Sequence, residues 1–355
     1  MLSPEYWILL FLLFICLFYY KEEKFVIVVI LYMTILAVCR DVTVGTDFMG
    51  YEKDFSTIKS LKSGTNIRHG FEIGFVFLIT QFKTFSNNYP LFISLWFFPC
   101  IIGIIKFVYD HKVNWAFAFF FYFTMGFYFM SFNIMRQLMV VSVSMMYLPF
   151  LYKKKYWLYA ILIVLTAFLF HKSEIMLLVL IPIHYFSKGI RKPICKNFLY
   201  AAIVISFLVF YIGSDLLKTS FVSITMLLLD SQRYVNYILF ENDRSGNSTS
   251  LLFTIMGLVL VYVKSPYRDK FLTYVFVLSI IMFNIFNTFS LYATRVAIPF
   301  QIFGIILIPK MIFDRGTKYR LLFMWFVIFL CMVLFLNKYY INNSGAVNPY
   351  VFRTF

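Results

Sequence analysis

Three arginines, one histidine and one aspartate carry most of the chemistry open to this sequence. Arg136 lies in the short interruption Phe132-Asn133-Ile134-Met135-Arg136-Gln137, with roughly 20 mostly apolar residues on either side, about one bilayer crossing each. An arginine at membrane depth costs about 2.5–3.5 kcal/mol on insertion scales, so it is either drawn to an edge or retained for use. Arg40 and Arg295 also fall at the ends of apolar runs. A guanidinium stays charged beside lipid and forks onto phosphate oxygens, so three on one membrane face would hold a diphosphate without a metal ion. Each arginine taken alone can instead snorkel to headgroups or cap a helix.

His171 follows fifteen residues of apolar run and opens His171-Lys172-Ser173-Glu174. Its imidazole can take a hydroxyl proton or orient a phosphate by hydrogen bonding, or simply bond a carbonyl at the interface. Gly45-Thr46-Asp47 offers a turn with a carboxylate, and Tyr51 follows it. Asp47 can act as a base, bind sugar hydroxyls, or serve an Asx turn or helix cap. Glu72 stands before a short apolar stretch, where a helix N-terminus also favours a carboxylate. Metal is not expected: no Asp-x-Asp pair or His/Asp cluster is present, and Glu241 with Asp243 reads as a solvated loop. The five cysteines are scattered, mostly within apolar runs, in neither a metal pattern nor a disulfide framework.

These groups sit in a chain that is 62% hydrophobic and 14% charged over 355 residues, with a mean hydropathy of +0.82. Such a balance excludes an ordinary soluble domain and implies an all-α, polytopic integral membrane protein, one domain over 1–355. Neither Rossmann nor P-loop glycines appear, so no nucleotide cofactor is expected. The net charge of +16 falls mostly in short turns, which marks membrane orientation rather than nucleic-acid binding. About 12 transmembrane helices are expected, with 71–82 as a partial helix and long outer loops at 40–70 and 214–250. The basic turns 153–155, 188–196, 264–270 and 310–320 are each two spans apart, so the positive-inside rule puts all four in the cytoplasm. Arg136, His171, Arg295 and the C-terminal tail then face outward together.

Taken in order, Arg40 with Gly45-Thr46-Asp47 and Tyr51, Glu72-Ile73-Gly74-Phe75, Ile134-Met135-Arg136-Gln137, Phe170-His171-Lys172-Ser173, Arg295 and Pro349-Tyr350 resemble the EpsG-like branch of Wzy-type bacterial polysaccharide polymerases, a branch that includes many O-antigen polymerases. Lys172 inside the His-x-Ser motif and Met139 after the Arg-Gln pair depart from the commoner residues. The resemblance implies a GT-C-like architecture, a place in the bacterial inner membrane with the site facing outward, and undecaprenyl-diphosphate-linked oligosaccharide as substrate. It implies transfer of the growing chain from its lipid diphosphate to a sugar hydroxyl of a new unit, without metal or other cofactor. Arg40, Arg136, Gln137, Arg295, Tyr51 and Glu72 would bind substrate, and His171 or Asp47 would handle the acceptor proton. Membrane lipids, a flippase and a chain-length regulator are the implied partners. Two rival classes are a membrane glycan acyltransferase, which would also use such a histidine, and a lipid-linked oligosaccharide flippase. The latter would need two pseudo-symmetric halves, and no internal repeat of that kind is visible.

Overall fold

Apolar runs of this length become helices because a backbone shielded from water must bond to itself. A computed structural model of the chain describes residues 2–60, 71–189, 194, 196–212, 247–263, 269–289, 293–314 and 319–353, and among them it is helical with no strand beyond one isolated bridge. The expected outer loop 214–250 lies outside the described residues except for its last four, which begin the helix Asn247–Val263. Among the described residues, four helices are long and apolar enough to cross a membrane, and a fifth if one bent pair counts as a single span. Five further apolar helices are 10–17 residues long. By this measure the described residues do not reach the twelve spans expected, since several apolar runs form helices shorter than 18 residues.

The chain separates into two compact units, 1–181 with 331–355, and 182–330. In the first, α1 (Pro4–Phe18) and α2 (Glu23–Val38) form a pair, and α3 (Phe48–Thr57) follows a short loop. Next come α4 (Ile73–Lys83), α5 (Tyr89–Asp110), α6 (Trp115–Thr124), α7 (Phe127–Asn133), α8 (Met135–Met145), α9 (Leu148–Tyr152) and α10 (Tyr156–Leu169). A 3-10 helix, Lys172–Val179, continues from His171. The apolar run 114–132 bends by 50° between α6 and α7 at Met125-Gly126, where the Tyr339 hydroxyl donates to the Gly126 carbonyl. α8 packs along α5, and Trp96 of α5 donates its indole N–H to the Met135 carbonyl at the start of α8.

Hydrogen bonds sort this unit into two ends. At one, Asn114 donates to the Tyr20 carbonyl and His111 Nε2 meets the Tyr152 hydroxyl at 2.8 Å. This end therefore gathers the turns that hold Lys21, Lys24, Lys112 and Lys153 to Lys155. The other end gathers Arg40, Glu72, Arg136, Lys172 and the tail 343–353, with no comparable run of lysines among the described residues. α4 does not run between the ends. It starts beside Arg136, and at its far end Lys83 Nζ donates to the Ile58 carbonyl just after α3. At 1.5 Å per residue its 11 residues extend only about 16 Å, too short for a bilayer.

In the second unit, Lys196–Ile212, Asn247–Val263 and Lys270–Asn287 pack together. Buried amides tie them: Asn284 Nδ2 donates to Ser206 and Thr254, and Asn287 Nδ2 donates to Ser250. Such bonds join helices where lipid offers no hydrophobic drive between them. The 3-10 turn Ala293–Ala297 then leads into Ile298–Gln301 and Gly304–Phe313.

Candidate functional site at one end of the first unit

Arg136 is the second residue of α8, just past the Ile134 break that separates α7 from α8. Its Nη1 is ion-paired with Glu72 Oε2, and its Nε donates to the Tyr51 hydroxyl at 3.3 Å. The rings of Phe71 and Phe75 lie 4.6 Å and 5.2 Å from the guanidinium carbon. Cation–π contact with rings supports the charge where water is scarce. The two side chains of the pair are 16% and 9% exposed, so the pair is sheltered without being fully buried.

Glu72 is shared. Its second oxygen, Oε1, accepts the Lys172 backbone N–H at 3.2 Å, so one carboxylate joins the arginine motif to the histidine motif. Gly74 makes this possible. A Cβ at Gly74 would come within 2.6 Å of the Leu169 carbonyl, so only a bare α-carbon lets the start of α4 press against the end of α10. His171, in extended conformation, follows that helix end. Its Nδ1 accepts from the Ser173 backbone N–H and lies 3.1 Å from the Ser173 hydroxyl. An amide can only donate, so Nδ1 carries the lone pair and the proton of the neutral ring is on Nε2.

The loop after α2 is fixed from the other end of the sequence. Arg40 pairs with Phe352 in the isolated bridge, Asp41 N–H donates to the Val351 carbonyl, and Gly45 N–H donates to the Ala346 carbonyl. Asn133 Oδ1 accepts the Thr46 N–H at 2.7 Å. Gly45, with φ +108°, holds a backbone conformation that disfavours a side chain, and a Cβ would also meet the Asn133 amide oxygen and the Phe132 carbonyl at a tight 3.1 Å. The Thr46 hydroxyl lies 3.0 Å from Asp47 Oδ1 and 3.1 Å from Asn133 Oδ1, and its one proton serves one of them at a time. Asp47 takes the N-cap position of α3 but makes no side-chain capping bond. Its half-buried carboxylate instead lies against the Thr46 hydroxyl. Nearby, the Thr43 N–H and hydroxyl hold the Asp41 carboxyl below the usual carboxylate range.

Arg40 reaches the same end but is only 2% exposed. Nη1 donates to the Ala37 carbonyl, Nη2 meets Met135 Sδ at 3.4 Å, and Phe48 and Phe132 flank the guanidinium at 4.9 Å and 4.5 Å. No carboxylate pairs with it among the described residues, and burial draws its pKa down to about 10. A cavity of about 10 Å³ lies against it, between Trp96, Cys100, Ser131 and Met135. In this arrangement Arg40 lies inside the unit, where direct contact with a substrate, the role the resemblance implied for it, is not available to its side chain. Gln137 is likewise buried, at 3%. Arg295, in the second unit, is half-buried in the 3-10 turn that opens the span Ala293–Phe313.

Two residues of this region escape a reading of the sequence. Asn133 clamps the loop that bears Asp47, and Glu174 is a wholly buried carboxylate directly after the histidine motif. Asn133 lay in plain view in the Arg136 interruption. No group of three or more potential metal ligands occurs among the described residues. The geometry thus ties the arginine to the histidine segment through Glu72, with the Asp47 carboxylate on a clamped loop at the same end of the unit. A family model described as the EpsG family matches residues 23–352, nearly the whole chain, and the chain belongs to that family. No curated protein and no solved structure matches it.

Proposed function

We propose that this member of the EpsG family is a polysaccharide polymerase acting on undecaprenyl-diphosphate-linked oligosaccharide units at the outer face of the bacterial inner membrane. EpsG-like proteins are Wzy-type polymerases, which supports the reaction class. The observation that carries the reading at the site is Arg136, held at the meeting point of Tyr51, Glu72 and the histidine segment. The bond from the chain's terminal sugar to the diphosphate breaks, the diphosphate leaves with the electron pair, and a hydroxyl of the new unit bonds to the freed carbon. Charge grows on the leaving diphosphate, and a fixed guanidinium stabilises it without reorganising. His171 offers its Nε2–H to a phosphate oxygen, because Ser173 already occupies Nδ1. Asp47 then takes the proton of the attacking hydroxyl. Buried Arg40 contributes its charge and the placement of Met135-Arg136 rather than direct contact. Arg295 and Gln137 stand as substrate-binding residues on their motifs alone. About twelve crossings in a GT-C-like arrangement, with a chain-length regulator and a flippase as partners, complete the reading.

The test is purified protein with a defined lipid-linked repeat unit, read as a ladder on a gel. Chains longer than one unit are expected from the native protein, and only single units from an Arg136→Gln variant. Normal long chains from that variant would sink the central role of Arg136.

A further inference from the structure

We infer that Glu72 is a stand-in anion. Its carboxylate holds the place on Arg136 that a donor diphosphate takes, and once displaced it becomes a binding group for the acceptor sugar. The inference rests on the polymerase reading of the site.

Glu72 occupies the N-cap position of α4, where an acceptor side chain would ordinarily bond the helix's own N–H groups, yet it makes no such bond. Both oxygens are committed elsewhere, Oε2 to Arg136 and Oε1 to the Lys172 N–H. A carboxylate and a phosphate claim the same guanidinium N–H groups, so the two anions compete for Arg136. A diphosphate brings more charge and more acceptor oxygens than a carboxylate, and neither partner of the pair is fully buried, at 16% and 9% exposed.

The grip on Lys172 governs where the displaced carboxylate goes. When Oε2 is released from Arg136, Oε1 still tethers the carboxylate at the start of the histidine segment. It stays in the site, next to the diphosphate that displaced it, with lone pairs to fill. A sugar hydroxyl donates to it and offsets the new repulsion between two anions. Donor binding thereby builds a subsite for the acceptor, and the order is donor first, acceptor second. No atom changes hands in this step; only hydrogen-bond partners do.

Inorganic diphosphate and the repeat-unit oligosaccharide freed from its lipid are the probes, and binding to purified protein is the readout. Glu72→Gln is expected to bind diphosphate on the order of tenfold more tightly than the native protein, because the rival charge is gone. It should also show a raised KM for the acceptor. Glu72→Asp, which keeps the charge, should bind diphosphate no more tightly than the native protein. Equal or weaker diphosphate binding by a folded Glu72→Gln overturns the inference. In the unaltered protein, diphosphate should raise the affinity for the free oligosaccharide, and absence of that coupling overturns the inference even where the variant does not fold. If Arg136→Gln binds diphosphate as the native protein does, the polymerase reading of Arg136 fails instead, and the two failures are distinct.

Discussion

At Arg136 one guanidinium meets a carboxylate, a phenol and aromatic rings, so its removal takes away more than a charge. Arg136→Ala strands Glu72 in a sheltered place, and breaking such a pair costs about 3–5 kcal/mol where burial is complete, less here. Arg136→Lys is the cleaner probe. It keeps the charge but loses the fork, and should melt near the native temperature while turnover falls on the order of a hundredfold in the gel-ladder assay. At His171 the occupied Nδ1 separates two roles. A glutamine can still offer an N–H in place of Nε2, so His171→Gln should retain clearly more polymerisation than His171→Ala. Equal loss in the two would point to proton transfer through the ring. Arg40 calls for a different test, since it is buried among Phe48, Phe132 and Met135. Arg40→Met fills similar space without an unpaired charge, and its stability in denaturant melts should equal or exceed the native value by about 1 kcal/mol. Its polymerisation should nonetheless fall roughly tenfold, as the field behind Arg136 weakens.

α4 and α10 meet at Gly74, and this contact sets the distance between the arginine and histidine motifs. Gly74→Ala forces a Cβ onto the Leu169 carbonyl, so α4 must shift and Glu72 with it. A loss of about 1–3 kcal/mol in stability and a larger loss of polymerisation are expected. Gly50 supplies the control, because a Cβ there meets nothing within 4 Å. Gly50→Ala in α3 should be neutral or slightly stabilising in the same melts. At this scale much was legible in the sequence. The short apolar stretch 71–82, too brief to span, is the 11-residue α4, and the interruption at Arg136 is a true helix break. What was not legible depends on contacts remote in sequence. The bend at Gly126 is made with Tyr339, and the backbone around Arg40 is held by residues 351–353. Local pattern carries no record of either.

Within the first unit, Lys153 to Lys155, one of the four basic turns, lie at the end away from Arg136. With the positive-inside rule, this placement predicts a labelling result. In a cysteine-free background, Met49→Cys, exposed near the site, should react with a membrane-impermeant maleimide from outside intact cells stripped of their outer layers. Lys154→Cys should react only after the membrane is opened. At the level of the cell, deletion of the gene should leave single repeat units where long chains are made, whereas loss of a flippase strands units on the cytoplasmic face. The same unit is discontinuous, since residues 331–355 return to it after all of the second unit. Ser3 receives Tyr350 N–H and bonds Asn348, while Arg353 N–H reaches the Cys39 carbonyl. Synthesis runs from one end, so the loop that carries Asp47 has only its Asn133 clamp until residues 343–353 have left the ribosome. A half-made or prematurely stopped chain therefore lacks half of the contacts that hold this loop, and a chain cut before residue 343 is expected to form no ladder in the gel assay, so the order of synthesis would itself delay the activity.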